Sequence, residues 1–172
     1  MSKASILKFP LPPFESVRAN NLAKMGILDT KPELIFDILV GLATSIAQMP
    51  IGAFTLIDRE KQWFKSKIGL NLCETARDIS FCTHTILNPD LPLIIADATQ
   101  VETFSNNPLV TGGPMIRAYV GFPILSPDYK LAIGSLCVLD TVPRQLSEFQ
   151  LGLLKEVASS INRALEEIYI SK

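Results

Sequence analysis

Apolar residues recur three and four positions apart in three stretches of the chain, which is the spacing of one buried face of an α-helix. The first stretch predicts a helix over residues 15–27, and the second predicts a helix over 31–48. Thr30 and Glu33 form a capping-box pattern at the start of the second helix, in which each side chain bonds the other residue's backbone amide. The predicted buried face of that helix comprises Ile35, Phe36, Leu39, Leu42, Ala43 and Ile46.

The third stretch begins after Ser147 and is the clearest helix of the sequence. Ser147 and Gln150 form a second capping box. Leu165 and Ile168 continue the apolar side past the expected edge of the protein core, and this surplus predicts a homodimer through the terminal helices. The apolar stripe comprises Leu154, Val157, Ala158, Ile161, Leu165 and Ile168.

Five segments have the composition and length of β-strands. Residues 51–58 and 62–68 are joined by a charged turn and predict a hairpin. Residues 93–96, 117–125 and 131–140 predict three more strands, and the last is expected to be central because it is almost wholly apolar. Helices at both ends of these strands predict an α+β fold with an antiparallel sheet and with the helices on one face.

Residues 38–57 carry no charge over a length that suits a membrane-spanning helix of ~20 residues. Pro50 and Gly52 interrupt this stretch where it becomes β-branched, and Thr44 and Gln48 supply polar positions. The pattern therefore predicts a helix followed by a buried strand, with no membrane association.

The remaining connections are expected to cover the second face of the sheet. Residues 71–78 form a polar connection, and residues 80–87 predict a short helix capped by Ser80. Residues 97–113 predict a long irregular segment with room for one helical turn. Long loops in compact domains are often functional, so this region is the first place to look for a site.

Length and composition limit the possible functions. The 172 residues predict one domain, placed at 15–170 after a Pro-rich arm at 1–14. A net charge of −1 argues against binding to nucleic acid. Three widely spaced cysteines and the lack of a signal-peptide pattern predict a reducing, cytoplasmic location. The chain stops at Lys172, after the last predicted helix. It is therefore expected to be either a freestanding domain or a fragment of a longer sensor.

Seven phrases between residues 26 and 140 together resemble a GAF domain, and the resemblance covers residues 20–165. More narrowly, they are similar to the GAF subgroup of bacterial sensor proteins, which often precedes histidine-kinase or diguanylate-cyclase modules. Val101, Thr103 and Ala118 depart from the residues common in that subgroup and make the loop less charged. The phrases are GILDT at 26–30, QWFKS at 62–66, ET at 74–75, RDISFC at 77–82, His84, NPLV at 107–110 and GSLCVLD at 134–140.

The resemblance implies a sheet of five or six strands with the terminal helices on one face and a ligand pocket on the other. It implies a regulatory, signal-sensing domain without catalytic activity, which binds an unidentified small molecule and passes its state through the terminal helices. A downstream kinase or cyclase module is a possible partner. No cofactor is implied. The candidate pocket residues are Trp63, Arg77, Phe81, Cys82, His84, Asp97, Phe104, Arg117 and Tyr119.

Cys82 is the basis of an alternative prediction, a function in thiol chemistry. In the first turn of a helix capped by Ser80, free amides would favour its thiolate, with Arg77 adding to the effect, as in a thiol-based redox sensor or a small sulfoxide reductase. The competing interpretation is a buried free cysteine that packs as an apolar side chain. His84 lies two residues on, so on a helix it would point away from Cys82 and would not act as its base.

Other chemistries on this fold fit the sequence less well. Bilin-binding GAF domains place a cysteine directly beside a histidine, whereas Thr83 separates Cys82 from His84 here. The signature of cyclic-nucleotide-binding relatives is not found, and the cysteine spacing 73, 82, 137 is unlike that of free methionine-(R)-sulfoxide reductases. One histidine and three scattered cysteines offer no zinc-binding pattern. A domain whose pocket is filled by side chains, serving only in protein interaction, is a third possibility.

Overall fold

A computed structural model describes residues 9–170 of the chain, with the side chain of Ile170 excepted. The helices are α1 (Glu15–Met25), α2 (Leu34–Ala47), α3 (Cys82–Thr85), α4 (Glu102–Ser105), α5 (Pro108–Thr111) and α6 (Glu148–Leu165). The strands are β1 (Ile51–Ile57), β2 (Lys61–Ile68), β3 (Glu74–Ala76), β4 (Leu93–Ile95), β5 (Ala118–Leu125) and β6 (Ala132–Asp140). Two 3-10 turns, Arg77–Ile79 and Ala98–Gln100, lie between them, and a π-helical turn, Glu166–Ile170, extends α6.

The strands form one antiparallel sheet in the order β3-β2-β1-β6-β5-β4. The predicted hairpin of β1 and β2 is confirmed, and so is the central position of β6, whose nine residues are all buried. The sheet has six strands because the polar connection at 71–78 contains β3, which pairs with β2. The uncharged stretch at 38–57 is a helix followed by a strand, as predicted.

The two faces of the sheet carry separate hydrophobic cores. Alternation along β1 sends Phe54 and Leu56 to one face and Ala53 and Ile57 to the other. The first core is covered by α1, α2 and α6, and the second by α3, α4, α5 and the segments around them. The predicted α+β architecture, with terminal helices on one face and short helices and loops on the other, is confirmed.

The capping box predicted at Thr30 is wrong. Helix α2 begins at Leu34, and its first turn has no side-chain cap. The Thr30 hydroxyl instead donates to the carbonyl of Ile27 at 2.6 Å and accepts from Lys65 Nζ at 2.7 Å. The Glu33 carboxylate pairs with the same ammonium group at 2.6 Å, because the buried Lys65 needs a counter-charge.

The capping box at Ser147 is confirmed, with Ser147 Oγ accepting from the amide of Gln150 and the Gln150 side chain accepting from the amide of Ser147. The apolar surplus predicted at the end of α6 is wrong: Leu165 is fully buried, and Ile168 packs against the first core. Gln150 Nε2 near the start of α6 donates to the carbonyl of Ile46 near the end of α2, and Tyr169 beyond α6 bonds Glu33 just before α2, so the two helices lie antiparallel.

Exposed apolar side chains lie elsewhere on these helices. Ile35 and Leu42, which were predicted to be buried, are exposed on α2. We call the exposed set the α2/α6 apolar surface; it comprises Leu34, Ile35, Ile38 and Leu42 of α2 with Phe149 and Leu153 of α6.

Three boundaries differ from those predicted. Helix α1 ends at Met25 because Gly26 takes a left-handed conformation, with φ of 65°. The helix predicted at 80–87 has only the turn Cys82–Thr85, although Ser80 Oγ does accept from the amide of Thr83 at 3.1 Å. The irregular segment 97–113 holds a 3-10 turn, α4 and α5. Residues 1–8 of the predicted arm lie outside the described residues.

Candidate functional site

A narrow pocket of about 50 Å³ lies between the sheet and the short helices on its second face. Five strands, α3 and α5 contribute to its wall, together with the loops 69–73 and 112–117. None of its lining side chains is charged. The lining residues are Thr55, Gln62, Phe64, Leu70, Leu72, Thr75, Phe81, Cys82, Leu109, Pro114, Ile116, Tyr119, Cys137 and Leu139.

A buried network of polar side chains forms the deep end of this pocket. Tyr119 on β5 is fully buried, and its hydroxyl donates to Cys82 Sγ at 3.1 Å. Thr85 Oγ1 lies 2.7 Å from the same hydroxyl, and Ser135 Oγ lies 3.3 Å from it. The tyrosine, which lies on β5, therefore joins α3 to the neighbouring strand β6 through one oxygen atom.

Cys82 and Cys137 form the second part of the network, with their sulfur atoms 3.7 Å apart. Burial raises the pKa of Cys82, but the hydrogen bond with Cys137 and the surrounding hydroxyl groups outweigh it and lower the pKa to about 7. The hydrogen bond with Cys82, together with burial, raises the pKa of Cys137 well above its usual value. The two thiols thus differ in acidity, and Cys82 is the one that ionises first.

Thr55 brings an unused hydroxyl group to the pocket. Its side chain is fully buried on β1, and its Oγ1 makes no hydrogen bond of ordinary geometry to any described residue, although it is near enough to Cys82 to favour that thiolate. Buried hydroxyl groups are rarely left without a partner, because the lost hydrogen bond costs about 1–3 kcal/mol. Thr55 is therefore available to a molecule that enters the pocket.

The volume limits what fits beside these side chains. A water molecule needs roughly 10–15 Å³, whereas pockets for typical ligands measure about 300–1,000 Å³. At about 50 Å³ the pocket accommodates a few waters or a very small molecule, and anything larger requires its walls to move. Leu72, which lines the pocket and is 43% exposed, stands on the side open to solvent.

Only three of the nine candidate pocket residues line this pocket: Phe81, Cys82 and Tyr119. Phe104 lies behind Phe81 and stacks on it at 4.6 Å between ring centroids. His84 is half-buried with its ring edge against Phe104 at 4.8 Å, and burial lowers its pKa. Trp63 lies in the other core, because alternation along β2 gives the pocket to Phe64 instead.

The three charged candidates have structural partners. Arg77 is fully buried and pairs with Glu15 of α1, with Nη1 2.5 Å from Oε1. Asp97 accepts from the amide of Thr99 at 3.0 Å and caps a 3-10 turn. Arg117 donates to the carbonyls of Val110 and Ile116, both at 2.9 Å, and holds α5 against β5.

Among residues 9–170, no group of three or more His, Cys, Asp or Glu side chains is placed to hold a metal ion. Within the same residues no helix has the length and apolarity needed to cross a membrane.

A six-stranded antiparallel sheet with long helices on one face and a pocket beneath short helices on the other defines a class of small α+β domains. Within that class the chain belongs to the GAF family, since a GAF domain sequence model matches residues 31–165. A cyclic di-GMP phosphodiesterase of Pseudomonas aeruginosa is 37% identical over 150 residues, which are 87% of this chain and 25% of that protein. The chain thus spans about a quarter of the length of this curated relative.

Solved structures share the fold at low identity. The GAF domain of an Acinetobacter phosphoenolpyruvate-protein phosphotransferase superposes with a TM-score of 0.62 and 14% identity, over 90% of this chain and 96% of that one. A type II free methionine-R-sulfoxide reductase of Thermoplasma acidophilum superposes with a TM-score of 0.56 and 12% identity, over 78% of this chain and 97% of that one. These similarities define the fold alone.

Proposed function

We propose that this chain is the regulatory sensor domain of a longer signalling protein, with residues 15–170 as one domain. It binds a small neutral molecule in the pocket and passes the bound state to its terminal helices. The observation that carries this proposal is that two walls of the pocket are joined by ion pairs and hydrogen bonds to α1 and to the end of α6.

The first connection runs from β3 to α1. Thr75 lines the pocket, and Arg77 follows two residues later with its guanidinium group bound to Glu15 of α1. Arg77 Nη1 also donates to the carbonyl of Asp58 at 3.1 Å, and the ring of Phe9 lies 4.7 Å from its Cζ. A shift of β3 on ligand binding therefore moves the buried guanidinium group of Arg77. Helix α1 must follow, because its Glu15 is paired with that group.

The second connection runs from β2 to the end of α6. Gln62 and Phe64 line the pocket, and Lys65 extends from the opposite face of the same strand. The Lys65 ammonium group pairs with Glu33, whose carboxylate accepts from the hydroxyl of Tyr169 at 2.7 Å. Because Tyr169 lies in the π-helical turn beyond α6, displacement of β2 reaches the C-terminal segment through two polar contacts.

The lining defines the class of molecule. Apolar side chains dominate the wall, and an anionic ligand would lose its hydration without gaining a counter-charge. Thr55 Oγ1 offers one hydrogen bond at depth. These features favour a small neutral compound with an apolar body and one hydroxyl or carbonyl group.

The similar proteins indicate which enzymatic activity the sensor domain controls. The similarity to a quarter of a cyclic di-GMP phosphodiesterase supports control of cyclic di-GMP turnover, in a bacterial protein whose other modules carry the catalysis. Diguanylate-cyclase and histidine-kinase outputs, which the sequence resemblance also allows, are the alternatives. The three free cysteines support a cytoplasmic location.

The α2/α6 apolar surface supports a homodimer. Leu34 and Phe149 are 73% and 75% exposed, and several large apolar side chains exposed on packed helices are typical of association sites. We therefore assign the dimer contact to this surface, part of which lies on α6, the helix whose C-terminal end the second connection reaches.

A panel of small metabolites tests the proposal by thermal shift and by native mass spectrometry of gently purified protein. Thr55→Val removes the free hydroxyl group, and Thr141→Val makes the same change at an exposed position. We expect a neutral member of the panel to raise the Tm of the wild type and of Thr141→Val, and to raise that of Thr55→Val less. Bare protein in the mass spectrum, with no shift from any member, would favour the domain with a filled pocket.

A further inference from the structure

The pair Cys82 and Cys137 is placed for a reaction that ligand binding does not use. We propose that these two thiols form a reversible disulfide bond when a peroxide enters the pocket, so that the domain also responds to oxidants. This inference does not depend on the identity or the presence of a pocket ligand.

The geometry of the sulfur atoms carries the inference. They lie 3.7 Å apart in van der Waals contact, and both side chains are 3% exposed. A disulfide bond measures about 2.05 Å, so the atoms must approach by roughly 1.7 Å. Cys82 belongs to α3, a helix of a single turn, which needs far less rearrangement than a central strand to allow that approach.

The surroundings prepare Cys82 for attack. The Tyr119 hydroxyl donates to its sulfur, and such a donor stabilises a thiolate. The pKa of Cys82 is lowered to about 7 and that of Cys137 is raised well above its usual value, in keeping with one nucleophilic and one resolving thiol. Thr85 and Ser135 hold the tyrosine oxygen in place.

The pocket provides the path for the oxidant. Both cysteines line it, and its volume of about 50 Å³ exceeds the space that one molecule of water or hydrogen peroxide requires. Cys73 stands apart from this pair: it is exposed, and its sulfur lies 3.8 Å from Lys67 Nζ.

The chemistry has two steps. The Cys82 thiolate attacks one oxygen of hydrogen peroxide, an S–O bond forms, the O–O bond breaks, and hydroxide leaves and takes up a proton to become water. The Cys137 sulfur then attacks the Cys82 sulfur, an S–S bond forms, and the S–O bond breaks as hydroxide leaves with the Cys137 proton as water. Two thiols lose two electrons in total, and one peroxide is reduced to two waters.

The bond would alter the deep end of the pocket. It ties α3 to the central strand β6 and replaces the thiolate that accepts from Tyr119 with a poorer acceptor. An external dithiol restores the pair by exchange.

Intact mass analysis with peptide mapping tests the inference on the Cys73→Ser protein, which removes the exposed thiol. Folded protein is treated with hydrogen peroxide, unfolded in an alkylating reagent and digested. We expect a loss of about 2 Da, the two hydrogen atoms of one disulfide, with Cys82 and Cys137 in one linked peptide pair. Full alkylation of both thiols, or a sulfinic acid at Cys82 beside a free Cys137, would overturn it.

A second variant separates the two steps. In Cys73→Ser/Cys137→Ser, no thiol resolves the first product, so a β-diketone probe should label the Cys82 sulfenic acid, and Cys73→Ser/Cys82→Ser should remain unlabelled. Cys137→Ala serves in the same way if the serine at this apolar site prevents folding. Equal labelling of the two variants would contradict the assigned roles. Neither the mass analysis nor the probe labelling measures ligand binding. A metabolite panel that gives no thermal shift therefore does not affect these two tests.

Discussion

Tyr119 reaches the centre of the pocket network only because residue 121 has no side chain. Gly121 lies on β5, opposite Cys137 of β6, and a Cβ atom placed there would overlap the Tyr119 hydroxyl and crowd Thr85 Oγ1. The glycine therefore supplies the space into which the fully buried Tyr119 side chain extends along its own strand. The overlap between a Cβ at residue 121 and the Tyr119 hydroxyl could not be relieved by moving the tyrosine towards solvent, because Tyr119 is enclosed on all sides.

Gly121→Ala is expected to lower the free energy of unfolding by about 1–3 kcal/mol, because the added methyl group displaces the tyrosine ring from its site. Gly152→Ala is the matched control in the second turn of α6, where a new Cβ meets nothing within 4 Å. There the same change should raise stability by about 0.5–1 kcal/mol through helix propensity. Urea unfolding measures both, and equal effects would contradict the close packing around Gly121.

The sequence alone identifies three of the residues that line the pocket, Phe81, Cys82 and Tyr119. Phe81 and Tyr119 were identifiable as aromatic side chains that can line an apolar pocket, and Cys82 as a cysteine in the first turn of a short predicted helix. Thr55 and Cys137 were not singled out, although strand alternation places each of them on a definite face. Choosing that face requires the pairing of β1 with β6, where Thr55 opposes Ser135 and Ala53 opposes Cys137. Pairing between distant strands is not encoded by local pattern.

At the scale of elements, one carboxylate ties α1 to the rest of the domain. Glu15 accepts from Arg18 at 2.8 and 2.9 Å and pairs with Arg77, and Arg18 Nη1 reaches the carbonyl of Ile57 at 2.6 Å. Both arginines are buried, so the single carboxylate offsets two desolvated charges. Burial raises the pKa of Glu15, but the two guanidinium groups outweigh it and lower the pKa to about 2.

This linkage predicts acid sensitivity. The folded-state pKa lies below the ordinary value of 4.5, so the unfolded chain binds more protons between pH 4.5 and 2. The contribution is therefore complete above pH 4.5 and is lost as the pH falls through that window, by about 3 kcal/mol. Glu15→Gln should lower stability at pH 7 by about 3–5 kcal/mol and should lack this part of the acid dependence.

Glu156→Gln, at an exposed position on α6, is the control, and its pH profile should follow that of the wild type. Chemical unfolding at several pH values between 2 and 7 gives the comparison. If Glu15→Gln and Glu156→Gln lose stability in parallel on acidification, the assignment of the linkage to Glu15 is wrong.

Two similar cap patterns had opposite outcomes. Ser147 caps α6 because its hydroxyl bonds only to Gln150 among the described residues. Thr30 and Glu33 carry the same pattern, yet the buried Lys65, 35 residues away in sequence from Thr30, draws both side chains to itself. A local motif thus predicts a local structure only when no buried charge competes for its groups.

At the scale of the whole molecule, the α2/α6 apolar surface should hold two copies together. Ile38 is 55% exposed within it, and Ile38→Glu would place a charge at the contact without touching either core. We expect dimers of the wild type and monomers of the variant in sedimentation velocity. Leu91→Glu, at a residue 60% exposed outside this surface, should remain dimeric. A wild type that stays monomeric at high concentration would remove the proposed dimer.

Occupation of the pocket should alter both ends of the domain, α1 and the turn Glu166–Ile170. Hydrogen–deuterium exchange of the full chain, with and without the panel compound that gives the largest thermal shift, measures this effect directly. We expect slower exchange in the pocket segments 70–76 and 81–85, in α1 and in Glu166–Ile170, with β4 unchanged as the internal reference. Tyr169→Phe, which removes the hydroxyl bound to Glu33, should lose the response of the C-terminal segment alone. Protection confined to the pocket segments would contradict the account.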